Sequence, residues 1–160
     1  MKRIIIIAAG LVALSSATAS AAQSSRWALD INATSYHTEA WARHSLNQSN
    51  PGIGLEYQAT SDWSGLAGFY RNSYRRTTGY ALAAWTPLRV DLPAGLTASA
   101  GLAAGLVSGY RRDEVPTSPL AAGALLRIRD ASGYGINLLA VPNTQSGSGF
   151  VGLQIVIPIR

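Results

Sequence analysis

Gly52-Ile53-Gly54-Leu55-Glu56-Tyr57-Gln58-Ala59 is the stretch that decides how this chain is read. Successive side chains of an extended strand point to opposite faces. Ile53, Leu55, Tyr57 and Ala59 therefore share one face, and Gly52, Gly54, Glu56 and Gln58 share the other. The first face is apolar and the second is small or polar. That division suits a barrel strand with one side toward lipid and the other toward a lumen.

Working outward, the same kind of segment recurs. Strand-length stretches fall at 27–38, 52–61, 63–72, 77–88, 96–110, 118–129, 134–142 and 149–159. Most reach the roughly nine to eleven residues a tilted strand needs to cross a bilayer. Near the C-terminus, Val151, Leu153, Ile155, Ile157 and Ile159 oppose Gly152 and Gln154. Near the start, Trp27, Leu29, Ile31 and Ala33 oppose Asp30, Asn32 and Thr34. The stretch 96–110 is nearly all small or apolar, and its faces stay unassigned. Glycines such as Gly54, Gly68, Gly101, Gly105, Gly123, Gly135 and Gly152 leave room for interior side chains or a ligand. The expected fold is all-β: a single eight-stranded antiparallel up-and-down barrel of outer-membrane type.

Residues 1–21 read as a signal peptide. Lys2 and Arg3 form a basic start, Ile4 to Leu14 an apolar core, and Ala19-Ser20-Ala21 a small-residue cleavage site. Residues 22–160 then form the barrel domain. Of the net charge of +5, Lys2 and Arg3 supply two, and no other lysine occurs. Cysteine is absent, so no disulfide framework or thiolate metal site is available. The arginines fall mainly near loops and do not cluster on one face with aromatic neighbours as on a nucleic-acid surface, and no nucleic-acid partner is expected. No His/Asp/Glu grouping has metal-ligand spacing, and no cofactor is implied. Trp27, Trp41, Trp63, Trp85, Tyr70, Tyr74 and Tyr110 lie near strand ends, as interfacial girdles do. Alternation alone also fits a soluble lipocalin-like barrel with its apolar face inward.

With the N-terminus inside the periplasm, the connections at 39–51, 73–76, 111–117 and 143–148 face outward. Those at 61–62, 89–95 and 130–133 are the inner turns. His37 ends the first strand and Ser73 follows the third, both at the outward end. A histidine beside a serine can act as general base in acyl transfer. His37 shares the parity of Trp27 and Leu29, so it points inward only past the regular strand or after a bulge. Glu56 is expected to pair with Arg127 or Arg129; the alternative is a third member of a His37–Ser73–Glu56 triad. His44 lies in the long first loop and is expected to be exposed.

The order of short motifs resembles the lipid A palmitoyltransferase family of outer-membrane barrels. Ser35-Tyr36-His37 matches its histidine, Gly52-Ile53-Gly54-Leu55 its glycine-rich strand, and Arg71-Asn72-Ser73-Tyr74 its Lys-Asp-Ser-Trp. Gly79-Tyr80, Trp85-Thr86-Pro87-Leu88, Ala104-Gly105 and Val141-Pro142-Asn143-Thr144 are similar to its later motifs. The resemblance implies acyl transfer from a phospholipid donor to a lipid A acceptor in the cell outer membrane, by a monomer. It implies His37 and Ser73 as catalytic residues, with Asn72 standing where the family has aspartate and orienting the histidine by hydrogen bonding. Arg71, Arg75 and Arg76, with Tyr70, would bind substrate, the arginines matching lipid phosphates. The alternative of a different class is a non-catalytic envelope barrel that binds a lipid or small apolar ligand.

Overall fold

A computed structural model describes residues 25–144 and 147–160. The signal-peptide segment, 1–21, lies outside the described residues. In chain order the elements are β1 (Trp27–His37), α1 (Ala40–Ser45), β2 (Ser49–Gln58), β3 (Trp63–Arg71), β4 (Thr77–Leu92), β5 (Leu96–Val107), β6 (Leu120–Asp130), β7 (Gly135–Val141) and β8 (Phe150–Pro158). Each strand pairs antiparallel with its sequence neighbour, and β1 pairs with β8 to close the barrel. The all-β, eight-stranded antiparallel barrel is thus the observed fold. Closure leaves no sheet edge along the paired register.

The alternation read in 52–59 holds. Gly54 and Glu56 are buried, whereas Ile53 and Leu55 are exposed. Around the barrel the outward side chains are large and apolar, including Trp63, Phe69, Trp85, Leu102, Leu106, Leu120 and Ile155. The lumen instead buries Asp30, Glu56, Ser64, Thr78, Arg127 and Asn137 beside an apolar cluster of Leu66, Tyr80, Ala84, Ala103 and Leu125. The four tryptophans are half exposed. Tyr70, Tyr74 and Tyr110 do not belong with them: Tyr70 and Tyr110 share a hydroxyl contact of 2.9 Å, and Tyr74 packs edge-on against Tyr110.

Glu56 sits in the lumen with both arginines. Arg127 Nη2 bonds its Oε1, Arg129 Nη2 reaches Oε2 at 3.2 Å, and Asn137 Nδ2 donates to Oε2 at 3.1 Å. Its carboxylate is fully engaged there and makes no contact with His37, so the alternative triad does not form.

Two boundaries differ from the sequence reading in ways that matter. Residues 89–92, read as part of a connection, continue β4, and the turn contracts to Pro93–Gly95. Ala94 (φ 63°) and Gly95 (φ 72°) both take the left-handed conformation there. Pro93 and Gly95 mark the turn itself, while Arg89 and Asp91 alternate along a hairpin arm that extends past β3, whose pairing stops at Trp63↔Trp85. The first loop, read as irregular, contains α1, a single short turn of helix too brief to carry a periodic signal.

Candidate functional site

His37 reaches the lumen because β1 changes face. The β1–β8 register passes from Asn32↔Gln154 to Thr34↔Leu153, so two steps on β1 oppose one on β8. The extra residue is a β-bulge, which shifts every later side chain to the other face. Before it, Asp30 and Asn32 point inward; after it, Ser35 and His37 do, while Thr34 and Tyr36 turn out. The expected inward place of Thr34 is corrected by the same shift.

His37 is then 2% exposed, with its Nε2 2.9 Å from Ser73 Oγ. The two residues belong to β1 and to the β3–β4 loop, with β2 between them. Asn50 of β2 spans the gap: its Oδ1 accepts from Ser35 Oγ at 2.7 Å, and its Nδ2 donates to the Arg71 carbonyl at 2.9 Å. Helix α1 fixes the end of β1, because Arg43 Nη1 donates to the carbonyls of His37 (3.0 Å) and Thr38 (2.7 Å). On the other side the Asn47 amide donates to the Ser73 carbonyl at 2.9 Å. The first loop therefore holds both members of the pair. The histidine's Nδ1 is buried and, among the described residues, has only a loose approach to the Gly149 carbonyl. Its ring packs against Phe150 at 5.8 Å between centroids.

Asn72 does not touch His37. Its side chain is fully buried and uses all four hydrogen-bonding positions, two on its own loop, one on β4 and one on the loop after β5. Oδ1 accepts from the amides of Tyr74 (2.9 Å) and Arg76 (3.0 Å), and Nδ2 donates to Thr78 Oγ1 and the Gly109 carbonyl, both at 3.0 Å. It is the internal brace of the β3–β4 turn, in which Arg75 takes the left-handed conformation at φ 61°. The residue before the serine thus shapes the loop that presents Ser73.

The arginine trio is split. Arg71 and Arg75 line a polar cleft of about 210 Å³ on the outer face of the rim, together with Asn47, Ser49 and Pro51. Arg76 turns away, binding Glu114, donating from Nε to the Gly109 carbonyl at 2.8 Å, and lying over the Tyr74 ring. Tyr70 points into the lumen toward Tyr110 and Tyr80. His44 is exposed on α1.

Ser73 lies on the wall of a cavity of about 610 Å³ inside this end of the barrel. Tyr70, Tyr110, Val107, Leu139 and Phe150 share that wall, which is mostly apolar. The cavity also reaches Leu120, Ala122 and Pro142. There the β6–β7 ladder is incomplete: it starts at Ala124↔Ala140, leaving 120–123 without partners on β7. Proline cannot donate to extend a ladder, and Pro142 stands just beyond the last β7 pair. The wall is therefore thin there, and two residues that line the cavity, Leu106 and Leu120, are also exposed on the outside.

Sequence reasoning missed Asn50, Arg43 and Tyr80. Asn50 and Arg43 sat in what read as a featureless loop. Tyr80 could have been found from Gly54 and Gly68, which lie in register on β2 and β3. A Cβ on Gly54 would stand 2.1 Å from Tyr80 Oη, and one on Gly68 2.9 Å away. Facing glycines mark where a large side chain crosses the lumen.

The fold and site together define a barrel with an apolar exterior, an internal cavity and a histidine–serine pair on its wall. Compared with known protein families and with curated proteins, the chain matches neither a family nor a protein.

Proposed function

We propose that this protein is an outer-membrane acyltransferase of the lipid A palmitoyltransferase kind, moving an acyl chain from a phospholipid to lipid A. The observation that carries the reading is the 2.9 Å contact between His37 Nε2 and Ser73 Oγ beside the apolar cavity. In this chemistry Nε2 accepts the Ser73 proton as Oγ attacks the donor ester. The glycerol oxygen leaves with that proton, and the acyl group rests on Oγ. A lipid A hydroxyl then gives its proton to Nε2 and attacks the acyl carbonyl, and Ser73 Oγ leaves with that proton. The cavity supports the reading by offering the chain a dry place to lie, and the gap between β6 and β7 by offering a side entrance. The large apolar side chains of the exterior, Trp63, Phe69, Leu102 and Leu120 among them, are not what a lipocalin-like barrel shows to water and support a membrane setting. The Arg71–Arg75 cleft, at the rim and outside the wall, supports phosphate recognition at headgroup level.

One observation favours a second reading, a barrel that binds a lipid without reacting. No carboxylate reaches His37 Nδ1, which among the described residues has only a loose approach to the Gly149 carbonyl, so no acid fixes the tautomer whose Nε2 accepts a proton.

The test is expression in a Gram-negative host lacking such an activity, followed by mass spectrometry of its lipid A. A gain of one acyl chain, lost in Ser73→Ala and in His37→Ala, supports the transferase. Unchanged lipid A from a folded, heat-modifiable barrel removes the transferase and leaves the binder.

A further inference from the structure

The cavity is apolar for most of its height, but its deep end is not. Asn32 of β1, Tyr80 of β4 and Gln154 of β8 line it there, away from the rim that carries Ser73, together with Leu82. Gln154 Nε2 donates to Asn32 Oδ1 at 3.0 Å and to Tyr80 Oη at 3.4 Å, and Asn32 Nδ2 donates to the same phenol oxygen at 3.5 Å. Below them, Asn137 Nδ2 joins Gln154 Oε1 at 3.1 Å to the Glu56–arginine network. The amides are thus committed, and the phenol oxygen accepts two long bonds. Among the described residues, no acceptor receives the Tyr80 hydroxyl proton. Tyr80 is held in place by the slot between Gly54 and Gly68, so it cannot swing away to find one.

A buried donor without a partner costs free energy, and a methyl group laid against it leaves that cost in place. An oxygen at the same spot removes it. We propose that the cavity is built for an alkyl or acyl chain bearing a hydroxyl at its buried end, received by Tyr80 with Asn32 and Gln154 beside it. The inference rests on reading the cavity as a chain-binding pocket, but not on catalysis at Ser73.

The test uses two probes whose charged heads keep them methyl-end or hydroxyl-end first: dodecylphosphocholine and its ω-hydroxylated analogue. Each is titrated calorimetrically, below its micelle concentration, into the barrel held in amphipol. The hydroxylated probe is expected to bind about five-fold tighter, the ratio of one neutral hydrogen bond. In Tyr80→Phe that preference is expected to vanish. Equal or weaker binding of the hydroxylated probe to the native barrel overturns the hydroxyl inference and leaves the chain-binding pocket standing. Binding of neither probe overturns both. A preference that survives in Tyr80→Phe overturns the assignment to Tyr80. The native comparison decides the main point even if the variant does not refold.

Discussion

Asn72 Nδ2 donates to the Gly109 carbonyl oxygen at 3.0 Å, tying the β3–β4 turn to the loop after β5. That contact requires a donor. An aspartate at this position would set a carboxylate oxygen against the carbonyl, while the Tyr74 and Arg76 amides would still be satisfied. Asn72→Asp is therefore expected to lower folding stability at neutral pH by about 1–3 kcal/mol, the cost of a buried unsatisfied polar group. Protonating the introduced carboxyl restores a donor, so the loss should shrink as pH falls. Equilibrium urea unfolding of the refolded barrel at two pH values checks this. A gain in acyl transfer would instead show that the position serves His37.

Glu56 makes a sharper case. Among the described residues it is the carboxylate that pairs with Arg127 and Arg129, and both Glu56 and Arg127 are almost fully buried. Glu56→Gln leaves two guanidinium groups in the lumen without their paired carboxylate, and Asp30 as the remaining buried acid near them. Breaking a buried pair from one side costs about 3–5 kcal/mol, and a loss of that size is expected in the unfolding free energy. Arg127→Met should cost less, because Glu56 keeps Arg129 and Asn137. The reverse order would mean that Arg127 serves another group.

These two positions also show what was legible in the sequence. Alternation in 52–59 was enough to put Glu56 inside, and charge chemistry was enough to suggest its arginine partners. The strand count followed from the same period of two. His37 was harder, because parity sent it outward and only the bulge after Asn32 brings it in. A bulge leaves no residue signature when neither Ala33 nor Thr34 is glycine. The role of Asn72 was not legible either. Its partners, Thr78 and Gly109, are set by how two loops fold over one another. Local pattern reading sees strands and their faces; it does not see which loop atoms meet across the rim.

Glu114 gives a pH prediction on that rim. Burial pushes its carboxyl up, but hydrogen bonds from Arg76 and the Arg111 amide, with the charges of both arginines, outweigh this and hold it below its ordinary 4.5. A carboxylate with a depressed folded value stabilises the loop above the unfolded value. That contribution is lost as pH falls through the folded one. The Glu114 carboxyl is expected to titrate below 4.5 by carbon-detected NMR. In Arg76→Gln the midpoint should rise toward the ordinary value. A midpoint unmoved by that substitution would show that the Arg111 amide carries the effect.

Gly54 and Tyr80 allow the lumen itself to be tested by a double-mutant cycle. A methyl on Gly54 would fall 2.1 Å from the phenol oxygen, 3.1 Å from Tyr80 Cζ and 2.9 Å from the Ala67 carbonyl. Something must shift, and overpacking of this kind costs about 1–3 kcal/mol. Gly54→Ala is thus expected to lower the urea midpoint clearly. Tyr80→Phe removes the nearest atom but leaves Cζ and the carbonyl. In the Gly54→Ala background it should recover part of the loss and not all of it. The coupling energy from the four unfolding curves measures how much of the clash belongs to the hydroxyl. Zero coupling would mean that the methyl is resisted by the β3 backbone alone, and that Tyr80 does not lie in the glycine slot.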